Sequence, residues 1–135
     1  MADAVTSQTI IDGERKCVMK FTNVSDGTGE SAVAKVDVSA LASNAAGVAC
    51  SEVRVMRISH AVVVMSVQLF FDGTSNVLLV ELADSSNWHM DFEDFGVIPN
   101  NAGSGKTGDI LFTTKGHTSG DTYSIVLEMV KVYGD

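Results

Sequence analysis

The chain has 135 residues, which is one domain's length, and folding it buries roughly two-thirds of the surface of the unfolded chain. Hydrophobic residues make up 45% of it, which excludes disorder, and nine basic against seventeen acidic residues leave a formal charge of −8. That charge repels phosphate backbones and anionic bilayers and excludes them as natural partners. Two cysteines, Cys17 and Cys50, are too few for a disulfide framework and read more readily as small buried thiols than as a bridge.

Residues 1–11 are small and polar until Thr9, Ile10 and Ile11, and are expected to form a flexible arm ending in a short β segment. The arm lacks a basic n-region and a long apolar stretch, so no secretory leader is read and synthesis in the cytoplasm is expected. Residues 12–135 are expected to form a single β-sandwich domain. From residue 14 to 24 the pattern alternates, with Cys17, Met19 and Phe21 on one face and Lys16, Lys20 and Thr22 on the other. The turn-forming run 25–30 and a second alternation over residues 32–38 suggest an N-terminal hairpin.

Residues 41–52 are small and apolar without a period, as expected of a crossing loop or a short helical turn. Residues 53–71, VRVMRISHAVVVMSVQLFF, are the longest apolar and β-branched run. Arg54, Arg57, His60 and Gln68 exclude a membrane helix, and the length predicts two central strands broken near Ser59 and His60. The turn at residues 72–76 should lead into a hairpin partner over 77–82, with Leu78, Val80 and Leu82 inward. After a polar turn at 83–86, residues 87–95 (NWHMDFEDF) mix the only tryptophan with phenylalanines and acids, as at a sheet edge or exposed rim. Residues 96–109 form a long turn-rich loop, which points to function or mobility. Strands are expected over 110–114 and over 123–133, where Tyr123, Ile125, Leu127 and Met129 alternate with Ser124, Val126, Glu128 and Val130. The sum is an all-β chain of about eight antiparallel strands, a β-sandwich or jelly-roll-like barrel.

Chemistry is sparse. Gly103, Gly105, Lys106 and Thr107 end like a phosphate-binding loop, but Asn100 stands where its first glycine belongs and a strand follows where a helix is needed. His60, His89 and His117 have none of the spacings that seed a zinc site. Asp26, Thr28 and Glu30, and Asp72, Thr74 and Asn76, are fragments of calcium loops without the full ligand ladder. No nucleophile motif accompanies the serines. Neither a catalytic residue, a metal ligand nor a cofactor is assigned. Trp88, Phe92 and Phe95 in their polar context are candidates for a partner or sugar contact, equally with a role in closing one end of the sandwich.

Three stretches, DGERKCVMKFTNVSDGTGES (residues 12–31), DFGVIPNNAGSGKTGDILFTT (94–114) and GDTYSIVLEMVKVYG (120–134), resemble small virion structural proteins of tailed bacteriophages of the marine and cyanobacterial type. The resemblance implies a non-enzymatic particle component, made in the host cytoplasm and located in the virion. In particular it implies a head decoration or cement protein that contacts the major capsid protein, frequently as a homo-oligomer such as a trimer. The contact residues then expected are Ile10 and Ile11 in the arm, Trp88, Phe92 and Phe95 in the rim, and Asn100, Asn101 and Lys106 in the loop. The other readings are a tail or neck subunit (tube, adaptor or fibre-associated), and a carbohydrate-binding sandwich using Trp88 and nearby carboxylates.

Overall fold

A computed structural model describes residues 4–82, 87–92, 97–116 and 118–133. Among them are nine strands: β1 (Ala4–Asp12), β2 (Lys16–Val24), β3 (Val33–Val36), β4 (Cys50–Val63), β5 (Ser66–Phe71), β6 (Val77–Leu82), β7 (Asn87–Asp91), β8 (Ile110–Lys115) and β9 (Thr122–Tyr133). The fold is all-β: a five-stranded antiparallel sheet in the order β1-β2-β9-β4-β7 packs on a four-stranded antiparallel sheet in the order β3-β8-β5-β6. No helix among the described residues is long and apolar enough to cross a membrane.

The core lies between the sheets. Period two sets Cys17, Met19 and Phe21 of β2 and Tyr123, Ile125, Leu127 and Met129 of β9 inward, against Val67, Leu69 and Phe71 of β5 and Ile110 and Phe112 of β8. Phe112 locks the layers together, meeting Phe21 edge-on at 5.1 Å and Tyr123 at 5.9 Å between ring centroids. Cys17 and Cys50 are free and buried, and burial pushes the Cys17 thiol up to about 11.

The expected hairpin of residues 66–71 with 77–82 is β5 and β6. A register shift between Leu69 and Phe70 leaves Leu78 exposed where an inward side chain was expected, while Leu82 is buried. Several other expectations need correcting. The N-terminal arm is a strand from Ala4 onward, paired along its length with β2, so there is one strand more than expected. The N-terminal hairpin does not form. Segment 25–32 crosses from one sheet to the other, because the backbone of Glu30 is tied to Thr114 and β3 pairs with β8.

The run 53–71 breaks at Val64, which has φ 62°, instead of near Ser59 and His60. Its two strands, β4 and β5, lie in opposite sheets. β4 continues through the expected break because a bulge between Val55 and Arg57 reverses its parity: Val53 and Val55 point inward before it, Ile58, His60 and Val62 after it.

Candidate functional site

The outer face of the five-stranded sheet carries an ordered grid near its β7 edge. Because β4 pairs with β9 on one side and β7 on the other, Arg57, Ser59 and Ala61 of β4 each have an outward neighbour on both flanks. Glu128, Arg57 and Asp91 form one row; Val126, Ser59 and His89 the next; Ser124, Ala61 and Asn87 the third.

The first row is an ion-pair chain. The Arg57 guanidinium donates to Asp91 at 3.2 Å and to Glu128 at 3.1 Å, and Lys16 reaches Glu128 at 3.0 Å. Burial pushes the Glu128 carboxyl up, but the Lys16 and Arg57 cations outweigh it and hold the group below the usual glutamate range. The next two rows are small across β9, β4 and β7 and continue onto β2 at exposed Lys20 and at Thr22, and His89 Nδ1 lies 2.7 Å from Ser59 Oγ.

Small side chains in those rows leave an open depression of about 450 Å³, lined by Ser59, His60, Ala61, Asn87, Trp88, Ser124 and Val126. This volume falls within the ~300–1,000 Å³ usual for small-molecule sites. Trp88 is opposite His60 in the ladder, so its side chain leaves the sheet on the same inner face as His60, and at the sheet edge it is 68% exposed. An indole this exposed is held there by the pairing of β7 with β4 and gains little from the core. His60 is buried, burial lowers its pKa, and its Nδ1 has no hydrogen-bond partner among the described residues.

Ser59 and His89 have the separation of a nucleophile and a base, but the setting does not suit acyl transfer. Ser59 sits on a strand paired on both sides, so the surrounding backbone N–H groups are used in the ladder and none forms an oxyanion hole. The Asp91 carboxylate is engaged by Arg57. Hydroxyls, an amide and an exposed indole suit reversible binding of an uncharged polar molecule.

The residues expected from sequence are dispersed. Ile10 and Ile11 are exposed on β1, the opposite edge of the sheet from Trp88, roughly 19 Å away across four strand spacings. Phe92 is half-buried against the core, with its backbone N–H bonded to Met56, so it closes the sandwich instead of offering a free contact. Phe95 lies outside the described residues, as do Glu93, Asp94 and His117.

The long loop is tethered over residues 97–109. Ile98 forms a bridge with Val55, Ser104 accepts from the Thr74 N–H, and Thr107 Oγ1 donates to Asp72 at 2.7 Å. Asn100 turns its Oδ1 onto the Ala102 N–H, Asn101 is exposed, and Lys106 pairs with Glu52 at 2.8 Å. The fragments that resembled calcium loops serve as turns: Asp26 accepts from Thr28 N–H and Asn76 from Gly73 N–H, while Glu30 is bound by Lys35. Among the described residues no group of three His, Cys, Asp or Glu is placed to hold a metal ion.

Sequence reasoning found Trp88 and missed Ser59, Ala61, Asn87, Ser124 and Val126. The signal available was the run of small outward residues, Ser59 and Ala61 on one strand and Ser124 on another, but only strand order brings them together.

The chain matches no protein-family model and no curated protein sequence. Among solved structures it is similar to a cupin domain from Bordetella pertussis Tohama I, at 10% identity and a TM-score of 0.38 over 98% of this chain and 97% of that one. A cupin superfamily protein from Desulfitobacterium hafniense DCB-2 has 11% identity and a TM-score of 0.33 over 94% and 80% of the two chains. The carbohydrate-binding module CtCBM11 has 12% identity and a TM-score of 0.31 over 100% and 85%. At these TM-scores the superpositions define no correspondence between sites.

Proposed function

We propose that this chain is a non-catalytic β-sandwich module that binds carbohydrate at the β7 edge of its five-stranded sheet, beside Trp88. The observation that carries this reading is the 68% exposed indole beside an open depression whose lining offers the hydroxyls of Ser59 and Ser124 and the amide of Asn87. A pyranose has an apolar C–H face that packs on an aromatic ring and a rim of hydroxyls that need donors and acceptors. The residues lining the depression at the sheet edge supply both, the indole from one face and the polar groups from the other. Of the carboxylates first considered as sugar contacts, Asp91 is bound by Arg57, and Glu93 and Asp94 fall outside the described residues.

An open depression covers one side of a ligand, so each site is weak, with a Kd of about 0.1–1 mM or roughly −4 to −5.5 kcal/mol. Useful avidity then comes from several copies on one support. The test is electrophoresis through gels containing soluble polysaccharides: the chain is retarded by at least one of them, and Trp88→Ala abolishes the retardation with an unchanged circular-dichroism spectrum. Equal retardation of the two proteins, or none in any gel, overturns the proposal.

A second reading, a virion component docked on the major capsid protein as a homo-oligomer, is favoured by the resemblance of the three stretches and by exposed Ile10 and Ile11 on the outer edge strand. An unpaired edge of this kind is suited to adding a strand from a neighbouring subunit. Replacing exposed Ile10 and Ile11 with serine, which leaves β1 in place, tests it, since capsid occupancy falls under this reading and is unchanged otherwise.

A further inference from the structure

We infer that β1 is a self-association edge, pairing antiparallel with β1 of a second copy so that the two five-stranded sheets become one continuous sheet. The inference stands on the strand itself and on neither functional reading above. The two sheets have four edge strands, β1, β7, β3 and β6. An exposed edge invites pairing with another chain, and proteins guard against it with short strands and with charge. Three of the edges are guarded in this way: β3 has four residues and carries Lys35, β7 has five and ends on Asp91, and β6 has six and carries Glu81. β1 has nine residues, and the run AVTSQTII before Asp12 includes no charged side chain and no proline. A bulge between Thr9 and Ile11 interrupts its ladder near one end and leaves residues 4–9 in regular register.

β1 also gains little from its own fold. Residues 5–11 are exposed and none of them belongs to the core, so the ladder with β2 is what holds them. Val5, Ile10 and Ile11 are 46%, 50% and 45% exposed, on a strand whose outer edge meets no other strand among the described residues. An added strand takes up the backbone N–H and C=O groups of that edge and covers those side chains together.

Charge points to a second copy as the occupant. Each chain carries a formal charge of −8, so two copies repel on approach, and the uncharged run of β1 is where they can meet. Antiparallel pairing about a two-fold axis puts the two Asp12 residues at opposite ends of the contact, so their carboxylates stay apart, and the contact closes at two copies. The strand order becomes β7-β4-β9-β2-β1-β1-β2-β9-β4-β7, which sets the two Trp88 edges nine strand spacings, roughly 43 Å, apart. Such a dimer is bivalent at its two ends.

One strand is a small contact beside the ~20–30 residues a side of a standard interface, so the dimer is weak, with a Kd of about 1–100 µM. Sedimentation velocity of the whole chain across about 1–500 µM should show the mass pass from one copy to two. Ser7→Glu combined with Thr9→Glu, at two exposed positions, sets like charges across the new ladder and should raise that Kd at least about tenfold, with the circular-dichroism spectrum unchanged. Should the doubly charged variant not fold, a scan of Val5→Cys, Thr6→Cys, Ser7→Cys, Gln8→Cys and Thr9→Cys decides, since Cys17 and Cys50 are buried. A two-fold antiparallel contact requires cross-linking that peaks at one position and falls away on both sides. A monomer at every concentration assigns the edge to a foreign strand and overturns self-pairing. A dimer indifferent to the paired glutamates, cross-linking without a peak, or an assembly larger than two copies overturns it as well.

Discussion

Replacing Glu30 with alanine should unfold this protein at a much lower temperature, because the Glu30 carboxylate is the hub of a polar cluster set between the sheets. Lys35 Nζ lies 2.5 Å from it, Asn23 Nδ2 donates to it at 2.9 Å and the Tyr123 hydroxyl at 2.6 Å. The Glu30 and Lys35 side chains are 6% and 5% exposed, so the pair is shielded from water. Removing the carboxylate leaves the Lys35 ammonium buried without its counter-charge, and breaking a buried pair from one side costs about 3–5 kcal/mol.

With about 2.1 cal/mol/K of unfolding entropy per residue over 135 residues, this lowers the midpoint by roughly 10–18 °C. Thermal and urea unfolding followed by circular dichroism measure it. A cycle of Glu30→Gln, Lys35→Met and their double variant tests the pair: the double variant removes both charges and keeps an amide oxygen for Asn23 and Tyr123. It should be more stable than the sum of the two single losses predicts, giving a coupling energy above ~1 kcal/mol in the cycle. A single-variant cost below ~1 kcal/mol, or strict additivity in the cycle, would refute the reasoning.

Three further outcomes follow from local geometry. Gly108 has φ +89° and an added Cβ would sit 2.0 Å from the Ser51 carbonyl oxygen, so Gly108→Ala should cost more than about 2 kcal/mol in urea unfolding. A near-neutral effect would mean that the loop does not pass so close to β4. Asp109 has its carboxyl pushed up by burial and by Asp37 and Asp72, although the Val38 N–H pulls it the other way. A carboxylate raised in the folded state costs stability when ionised, and that cost is relieved as pH falls through the folded value. Asp109→Asn, which keeps an acceptor for Val38, should therefore raise the midpoint at pH 7 and lose its advantage toward about pH 4, the ordinary aspartate range. A gain independent of pH would contradict this. Val64 holds a β-branched side chain at φ 62°, where such residues pay about 1–2 kcal/mol; Val64→Asn should stabilise by about 1 kcal/mol, and a lower midpoint would count against that strain.

The legible parts of the fold were those set by period two within one strand. β9 alternates without interruption because it is central and packed on its inner face from end to end, so Tyr123 through Met129 could be assigned from sequence. β7 was readable as an edge because aromatic and acidic residues mix there. Beyond the hairpin of β5 and β6, pairing was not legible. The turn chemistry of residues 25–30 reads as a hairpin, but Glu30 is drawn between the sheets by Lys35, Asn23 and Tyr123, and partners that distant in sequence leave no local trace. The break in the central run was misplaced for a related reason. The polar residues Ser59 and His60 resemble a turn, while the actual reversal falls on Val64, a residue with no turn preference. Trp88 was identifiable by its composition alone, but the depression beside it depends on β9, β4 and β7 being adjacent, which strand order decides.

The most direct measurement is a nitrogen-15 chemical-shift titration of the labelled chain with oligosaccharides cut from the polysaccharide that retards it. Shifts confined to the Trp88 indole N–H and to the amides of Ser59, Ala61, Asn87, Ser124 and Val126 are the expected result. No shifts at saturating sugar, or shifts centred on the β1 edge at Ile10 and Ile11, would contradict the account.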